Sequence, residues 1–155
     1  VYLGIGNATA INDGGEVVGT SYTNQETFLY SDDQITDLGT LPGYDSSSAF
    51  GINDAGQVVG SSYAPSTDTL HAFLYRNGQM TDLNDLIDSA LGITLQTADG
   101  INNNEIIVNN SRNYRPYLLT PVPEPSALAL FGIALTGLSL SLAARLRTRL
   151  GTGRC

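Results

Sequence analysis

Short apolar runs of four to six residues, broken by Asn, Asp and Gly, recur along the first 120 residues, and the pattern repeats itself. Ala10-Ile11-Asn12-Asp13-Gly14-Gly15-Glu16-Val17-Val18-Gly19 returns as Gly51-Ile52-Asn53-Asp54-Ala55-Gly56-Gln57-Val58-Val59-Gly60, a shift of 41 residues. Thr27-Phe28-Leu29-Tyr30 returns as Ala72-Phe73-Leu74-Tyr75, and Gln34-Ile35-Thr36-Asp37-Leu38 as Gln79-Met80-Thr81-Asp82-Leu83, both shifted by 45. The difference is an insertion in the 61–71 loop. A degenerate third copy runs through Gly100-Ile101-Asn102-Asn103-Asn104-Glu105-Ile106-Ile107-Val108 to Pro116-Tyr117-Leu118-Leu119, and Leu3-Gly4 reads as the tail of a preceding unit.

Each copy reads as short strands joined by tight turns. In the second copy these are Ser48 to Ile52, Gln57 to Ser61, His71 to Tyr75 and Gln79 to Leu83. Asp-Gly and Asn-Gly ahead of β-branched runs are strong hairpin signals, because these residues tolerate the positive φ that a tight turn needs. Four strands per unit at a spacing in the low forties predict an all-β domain of antiparallel meander repeats, partly β-propeller-like. Leu83 to Ala90 interrupts the pattern where Gly39-Thr40-Leu41-Pro42-Gly43 stood before. With Leu83, Leu86 and Ile87 at i, i+3 and i+4 it predicts a turn or two of helix, read as a capping insertion near the domain end.

A different pattern begins at Ala127. From there to Ala144 eighteen residues carry no charge, about 27 Å of helix at 1.5 Å per residue, which predicts one C-terminal transmembrane helix. Arg145, Arg147 and Arg149 follow at once and place the end of the chain on the cytoplasmic side. Val122-Pro123-Glu124-Pro125-Ser126 precedes the span, and its two prolines suit neither helix nor strand, so it predicts an exposed linker. The organisation expected is a β-repeat ectodomain at 1–121, incomplete at its N-terminal side, a linker at 122–126, a membrane helix at 127–144 and a basic cytoplasmic tail at 145–155.

Charge sharpens this division. Residues 1–121 hold fourteen Asp or Glu against Arg76, Arg112 and Arg115, and lysine is absent from the chain. A surface so acidic repels phosphate backbones, which excludes nucleic acid as a partner. Cys155 is the only cysteine, so no intrachain disulfide and no multi-cysteine metal site can form. Val1 opens the chain without a charged leader region, so the sequence reads as a fragment or trimmed product.

The tail resembles the PEP-CTERM sorting signal through Pro123-Glu124-Pro125, the apolar stretch and the terminal arginines, taken in that order. The resemblance implies a surface or extracellular-matrix protein of an exopolysaccharide-producing cell, recognised at Pro123, Glu124 and Pro125 by an exosortase-like membrane transpeptidase that supplies the catalytic groups. Gly151-Thr152-Gly153-Arg154-Cys155 extends beyond the usual end of such a signal. The repeats resemble the HAF family of extracellular repeats, through His71-Ala72-Phe73-Leu74-Tyr75 and Met80-Thr81-Asp82-Leu83. In the first unit Glu26-Thr27-Phe28 replaces the His-Ala-Phe triplet.

Candidate chemistry in the repeats is sparse. His71 is the only histidine and its counterpart is Glu26, so it reads as a strand-packing or edge residue rather than a metal ligand or relay. The turns at Asp13-Gly14-Gly15-Glu16 and Asn53-Asp54-Ala55-Gly56 lack the alternating acids of a calcium loop, and local side-chain to backbone bonds account for them. Asp32-Asp33 and the run Asp82, Asp85, Asp88 read as solvated carboxylates. The expectation is a non-enzymatic, exported protein without cofactor or metal. Its partners would be the processing enzyme, membrane lipid through residues 127–144 and exopolysaccharide. The alternative is a secreted propeller enzyme or lectin acting on polysaccharide.

Overall fold

The repeating turns set the strand boundaries, and a computed structural model shows how the strands assemble. The structure describes residues 4–110, 115–121 and the backbone of 146–149. Sheet I contains β1 (Gly6–Ile11), β2 (Val17–Ser21), β3 (Thr27–Ser31) and β4 (Gln34–Gly39). Sheet II contains β5 (Ser46–Ile52), β6 (Val58–Ala64), β7 (Thr69–Arg76) and β8 (Gln79–Asp82). Sheet III contains β9 (Thr97–Ile101), β10 (Ile106–Asn110), β11 (Arg115–Pro121) and β12 (Leu146–Arg149). Every pairing is antiparallel and, within each sheet, strands follow one another in chain order.

The turn residues behave as their chemistry demands. Asn77 (φ 52°) and Gly78 (φ 78°) form the two-residue link between β7 and β8. Asp32 (φ 50°) and Asp33 (φ 59°) form the same link between β3 and β4. Asp32-Asp33 is thus a left-handed turn, a conformation short polar side chains tolerate. The insertion after Ser61 lengthens one hairpin, adding the pairs Tyr63↔Leu70 and Ala64↔Thr69 to β6 and β7.

The sheets stack in sequence order, with β5 against β1 and β2 and β9 against β5 and β6. Alternation along each strand gives every sheet two apolar faces. Ala49, Ile52, Val58 and Phe73 of sheet II meet Val18 and Leu38 of sheet I, together with Leu41 from the linking loop. On the opposite face Val59, Ala72, Leu74 and Leu83 meet Ala98, Ile106, Val108, Tyr117 and Leu119 of sheet III. Full burial of a side chain such as Phe73 contributes about 1.5–3 kcal/mol. The expected propeller-like arrangement is realised as an open stack of three meanders, and among the described residues no sheet closes into a barrel or propeller.

One asparagine per unit ties the stack together. Asn12 Oδ1 accepts from the Glu16 amide (2.9 Å), and Asn12 Nδ2 donates to the Asn53 carbonyl (3.0 Å). Asn53 repeats this one unit on: its Oδ1 accepts from the Gln57 amide (2.9 Å) and its Nδ2 donates to the Asn102 carbonyl (3.2 Å). The side chain that shapes each turn therefore also fixes the register between neighbouring sheets. Local bonding of this kind, expected from the sequence, accounts for the acidic turns.

One sequence expectation is revised. Leu83 to Ala90 is not a cap at the domain end but part of the link between sheets II and III. It forms the 3₁₀ turns Leu83–Leu86 and Ser89–Leu91, capped by Asp82 and Asp88, and Leu83 is drawn into the core. β12 lies along β11 with Pro121 opposite Leu146 and Leu118 opposite Arg149, so this segment supplies the fourth strand that the third unit lacked. Among the described residues no helix is long and apolar enough to cross a membrane, and segment 127–144 lies outside them.

Close approach of the neighbouring strand explains Gly19 and Gly60. A Cβ on Gly60 would strike the Ser48 carbonyl and stand 2.9 Å from the Phe73 ring. Nothing lies within 4 Å of one placed on Gly100. Gly60→Ala is expected to lower unfolding free energy by about 1–3 kcal/mol, and Gly100→Ala by less than about 0.5 kcal/mol. Urea denaturation of the two variants checks this.

Candidate functional site

Because β7 and β8 are joined by a two-residue turn, Phe73 stands opposite Asp82 and His71 lies diagonally across from it. His71 Nδ1 is 2.6 Å from Asp82 Oδ2. The second oxygen, Asp82 Oδ1, accepts from both the amide and the Nδ2 of Asn84, each at 2.8 Å. Asn84 in turn clips the following loop, accepting from the Leu95 amide at 2.7 Å and donating to the Leu95 carbonyl at 3.0 Å. Asp82 is therefore not the solvated carboxylate the sequence suggested. It orients the imidazole and caps the 3₁₀ turn, while its side chain is 18% exposed.

The loop between sheets I and II brings Tyr44 over this pair. Its backbone is held by the bond from Tyr44 N to the Leu41 carbonyl (3.0 Å) and by Thr40 Oγ1 on the Tyr44 carbonyl (3.0 Å). The phenol ring stands 5.5 Å from the imidazole, tilted by 42°. Burial first, then the nearby charges of Asp82 and Asp85, push the Tyr44 hydroxyl above the usual phenol range, so it stays a proton donor well into alkaline solution. Around Tyr44 opens a cleft of about 310 Å³, lined also by Leu41, Pro42, Gln79, Met80, Asp82 and Asp85. Its chemistry is that of a hydrogen-bonding surface with one aromatic wall. Among the described residues no group of three or more His, Cys, Asp or Glu gathers where it could hold a metal ion.

Unit I carries a different pair at the equivalent positions. Glu26 and Asp37 both accept from Asn24 Nδ2. Burial, followed by the Asp37 charge and a hydrogen bond with its side chain, raises the Glu26 carboxyl above its ordinary value. The histidine that the sequence assigned to packing therefore has a partner, and the spacing of eleven residues in both Glu26–Asp37 and His71–Asp82 is the signal that could have found it. Tyr44 carried no such signal, since it reaches the site from a loop outside the repeat.

The residues singled out in the tail fall elsewhere. Pro123, Glu124, Pro125 and Arg145 lie outside the described residues, whereas Arg147 and Arg149 lie on β12, paired with Thr120 and Leu118. Residues 121–147 match the PEP-CTERM protein-sorting motif. The motif implies exosortase-dependent export: a secreted protein, processed at the membrane by an exosortase-type partner and destined for the cell surface. No curated protein and no solved structure matches the chain.

The raised Glu26 carboxyl gives a signed pH effect. A carboxyl that holds its proton more tightly when folded makes stability fall as pH rises from the ordinary Glu value through the folded one. Glu26→Gln removes that penalty. Between about pH 4 and pH 7 the variant should lose less Tm than the parent, and thermal unfolding followed by circular dichroism at several pH values checks this.

Proposed function

We propose that the chain is a non-enzymatic cell-surface or extracellular-matrix protein whose β-repeat domain is displayed after exosortase removes a C-terminal signal. The sorting motif at residues 121–147 carries this reading. Pro123, Glu124 and Pro125 serve as the recognition residues. The uncharged segment 127–144 is the precursor's membrane span, and Arg145, Arg147 and Arg149 are its stop on the cytoplasmic face. Membrane insertion and the β11–β12 pairing exclude one another. The pairing sets Pro121 beside Leu146, whereas a span across a hydrocarbon core of about 30 Å drives them apart. In the inserted precursor β12 is therefore released from sheet III.

Support for the non-enzymatic reading comes from the His71–Asp82 pair, whose carboxylate oxygens are taken up by bonds that hold the fold. The cleft beside it favours a second reading, a carbohydrate-binding module. Tyr44 offers a ring face, while Gln79 and Asp85 offer hydrogen-bonding groups at a scale suited to one or two sugar rings. The HAF-like repeats belong with the first reading, and exopolysaccharide is a partner under both.

Two outcomes follow. Glu124→Ala leaves the apolar segment and arginines intact, so insertion should persist while processing slows; the C-terminal peptide of the protein recovered from its native envelope, identified by mass spectrometry, reports this. Termination near residues 122–126 in the parent supports a removable signal, and an intact end through Arg149 in the mature protein counts against it. Retention of the chain on immobilised exopolysaccharide, reduced at least tenfold by Tyr44→Ala (a loss of about 1.4 kcal/mol of binding), would support the carbohydrate reading. Absence of retention at saturating polysaccharide would remove it.

A further inference from the structure

The cleft beside Tyr44 has a charge as well as a shape. Leu41, Pro42 and Tyr44 of the linking loop form one wall, and β8 with the first 3₁₀ turn forms the other through Gln79, Met80, Thr81, Asp82 and Asp85. Two of these residues are acids and none is basic. Arg76 stands opposite Gln79 at the tip of the hairpin but does not line the cleft. The chain has no lysine and carries a net charge of −8. The cleft is thus negative in its own lining and sits on a negatively charged molecule.

The two acids differ in what they can offer a ligand. Asp82 uses both oxygens inside the fold, on His71 and on Asn84. Asp85 is exposed, and among the described residues its carboxylate has no hydrogen-bond or ion-pair partner. Both charges reach the phenol: after burial, Asp82 and Asp85 are what raise the Tyr44 hydroxyl above its ordinary range. Asp85 therefore brings unused acceptor capacity to the aromatic wall. His71 stands against one flank of that ring at 5.5 Å, and the cleft runs along the rest of it.

We propose that the cleft binds a sugar carrying a free ammonium group, a hexosamine unit whose amine is not acetylated, with its ring on Tyr44 and its ammonium on Asp85. This rests on the carbohydrate reading of the cleft and narrows it to a cationic sugar. A pyranose presents a face of C–H groups that packs on an aromatic ring. The substituents then decide the preference. A hydroxyl can donate to a carboxylate, but an ammonium adds the attraction of opposite charge, and a nearby tyrosine ring favours a cation as well. A uronate would bring a third carboxylate up to Asp82 and Asp85, and like charges brought together oppose binding. Acetylation of the amine removes its charge and keeps the ring, so the acetylated sugar is the direct comparison.

The test is isothermal titration calorimetry of the full chain in a mild detergent, at low salt and about pH 6, where the amine is protonated. The probes are a tetramer of glucosamine, the same tetramer N-acetylated throughout, a tetramer of galacturonate, and tetralysine. The glucosamine tetramer should bind about tenfold more tightly than its acetylated form, and galacturonate should not bind. Asp85→Asn should bring that ratio near one. Asp13→Asn removes an equal charge from the exposed turn between β1 and β2, away from the lining of the cleft, and should keep the ratio. Equal binding of the glucosamine and acetylated tetramers would overturn the cationic assignment and leave the carbohydrate reading standing, whereas failure of every sugar to bind would remove both. A ratio lost as fully in Asp13→Asn would show attraction to bulk charge, and tetralysine binding as tightly as the glucosamine tetramer would show a site for basic peptides; either would also overturn the proposal.

Discussion

Everything in this fold depends on sheets approaching one another closely enough for a side chain in one turn to reach the backbone of the next. Apolar burial supplies the attraction but is indifferent to register, since a sheet face of Val, Leu and Phe can slide with little loss of contact area. The bond from each turn asparagine to the following unit's carbonyl is directional and removes that freedom. At the junction of sheets II and III Gly51 eases the approach, since a Cβ there would lie 3.3 Å from the Gly100 Cα. Shape, hydrogen bonding and burial thus meet at the same few residues of the repeat.

The same constraint explains why unit II is apolar on both of its faces. It is the only sheet with neighbours on both faces among the described residues, and its residues fill both cores. The His71–Asp82–Asn84–Leu95 chain of bonds lies where sheet II hands over to sheet III. A polar network at that point fixes the path of the linking loop without adding to apolar area. In unit I the handover is made by the shorter loop through Leu41 and Tyr44, and the equivalent pair is two carboxylates, Glu26 and Asp37, that repel each other. The repeat position has kept its geometry while changing its chemistry.

Placement of the segment around Arg147 and Arg149 bears on function. Along β11 it completes sheet III; across a membrane it would be a stop signal. Both uses draw on features of one sequence, since Leu146–Arg149 supplies backbone groups to a strand edge and positive charge to an interface. Processing at residues 122–126 would separate the repeat domain from either arrangement and leave β11 as the edge of the displayed sheet.

Much of the fold could be read directly from the chain. The repeat of Ile-Asn-Asp-x-Gly-x-Val-Val-Gly located the turns and Asn77-Gly78 located a hairpin, because turn dihedrals are local properties. The sorting segment was legible for the same reason: prolines, an uncharged run and arginines act through composition and order along the chain. What the sequence could not decide was how sheets meet. The partnership of Tyr44 with His71, the partial burial of Asp82 and the docking of β12 on β11 all join residues whose proximity is created by loops and stacking. Nor did it separate a closed propeller from an open stack, since closure depends on a few degrees of rotation between sheets, summed over units, that no residue encodes alone.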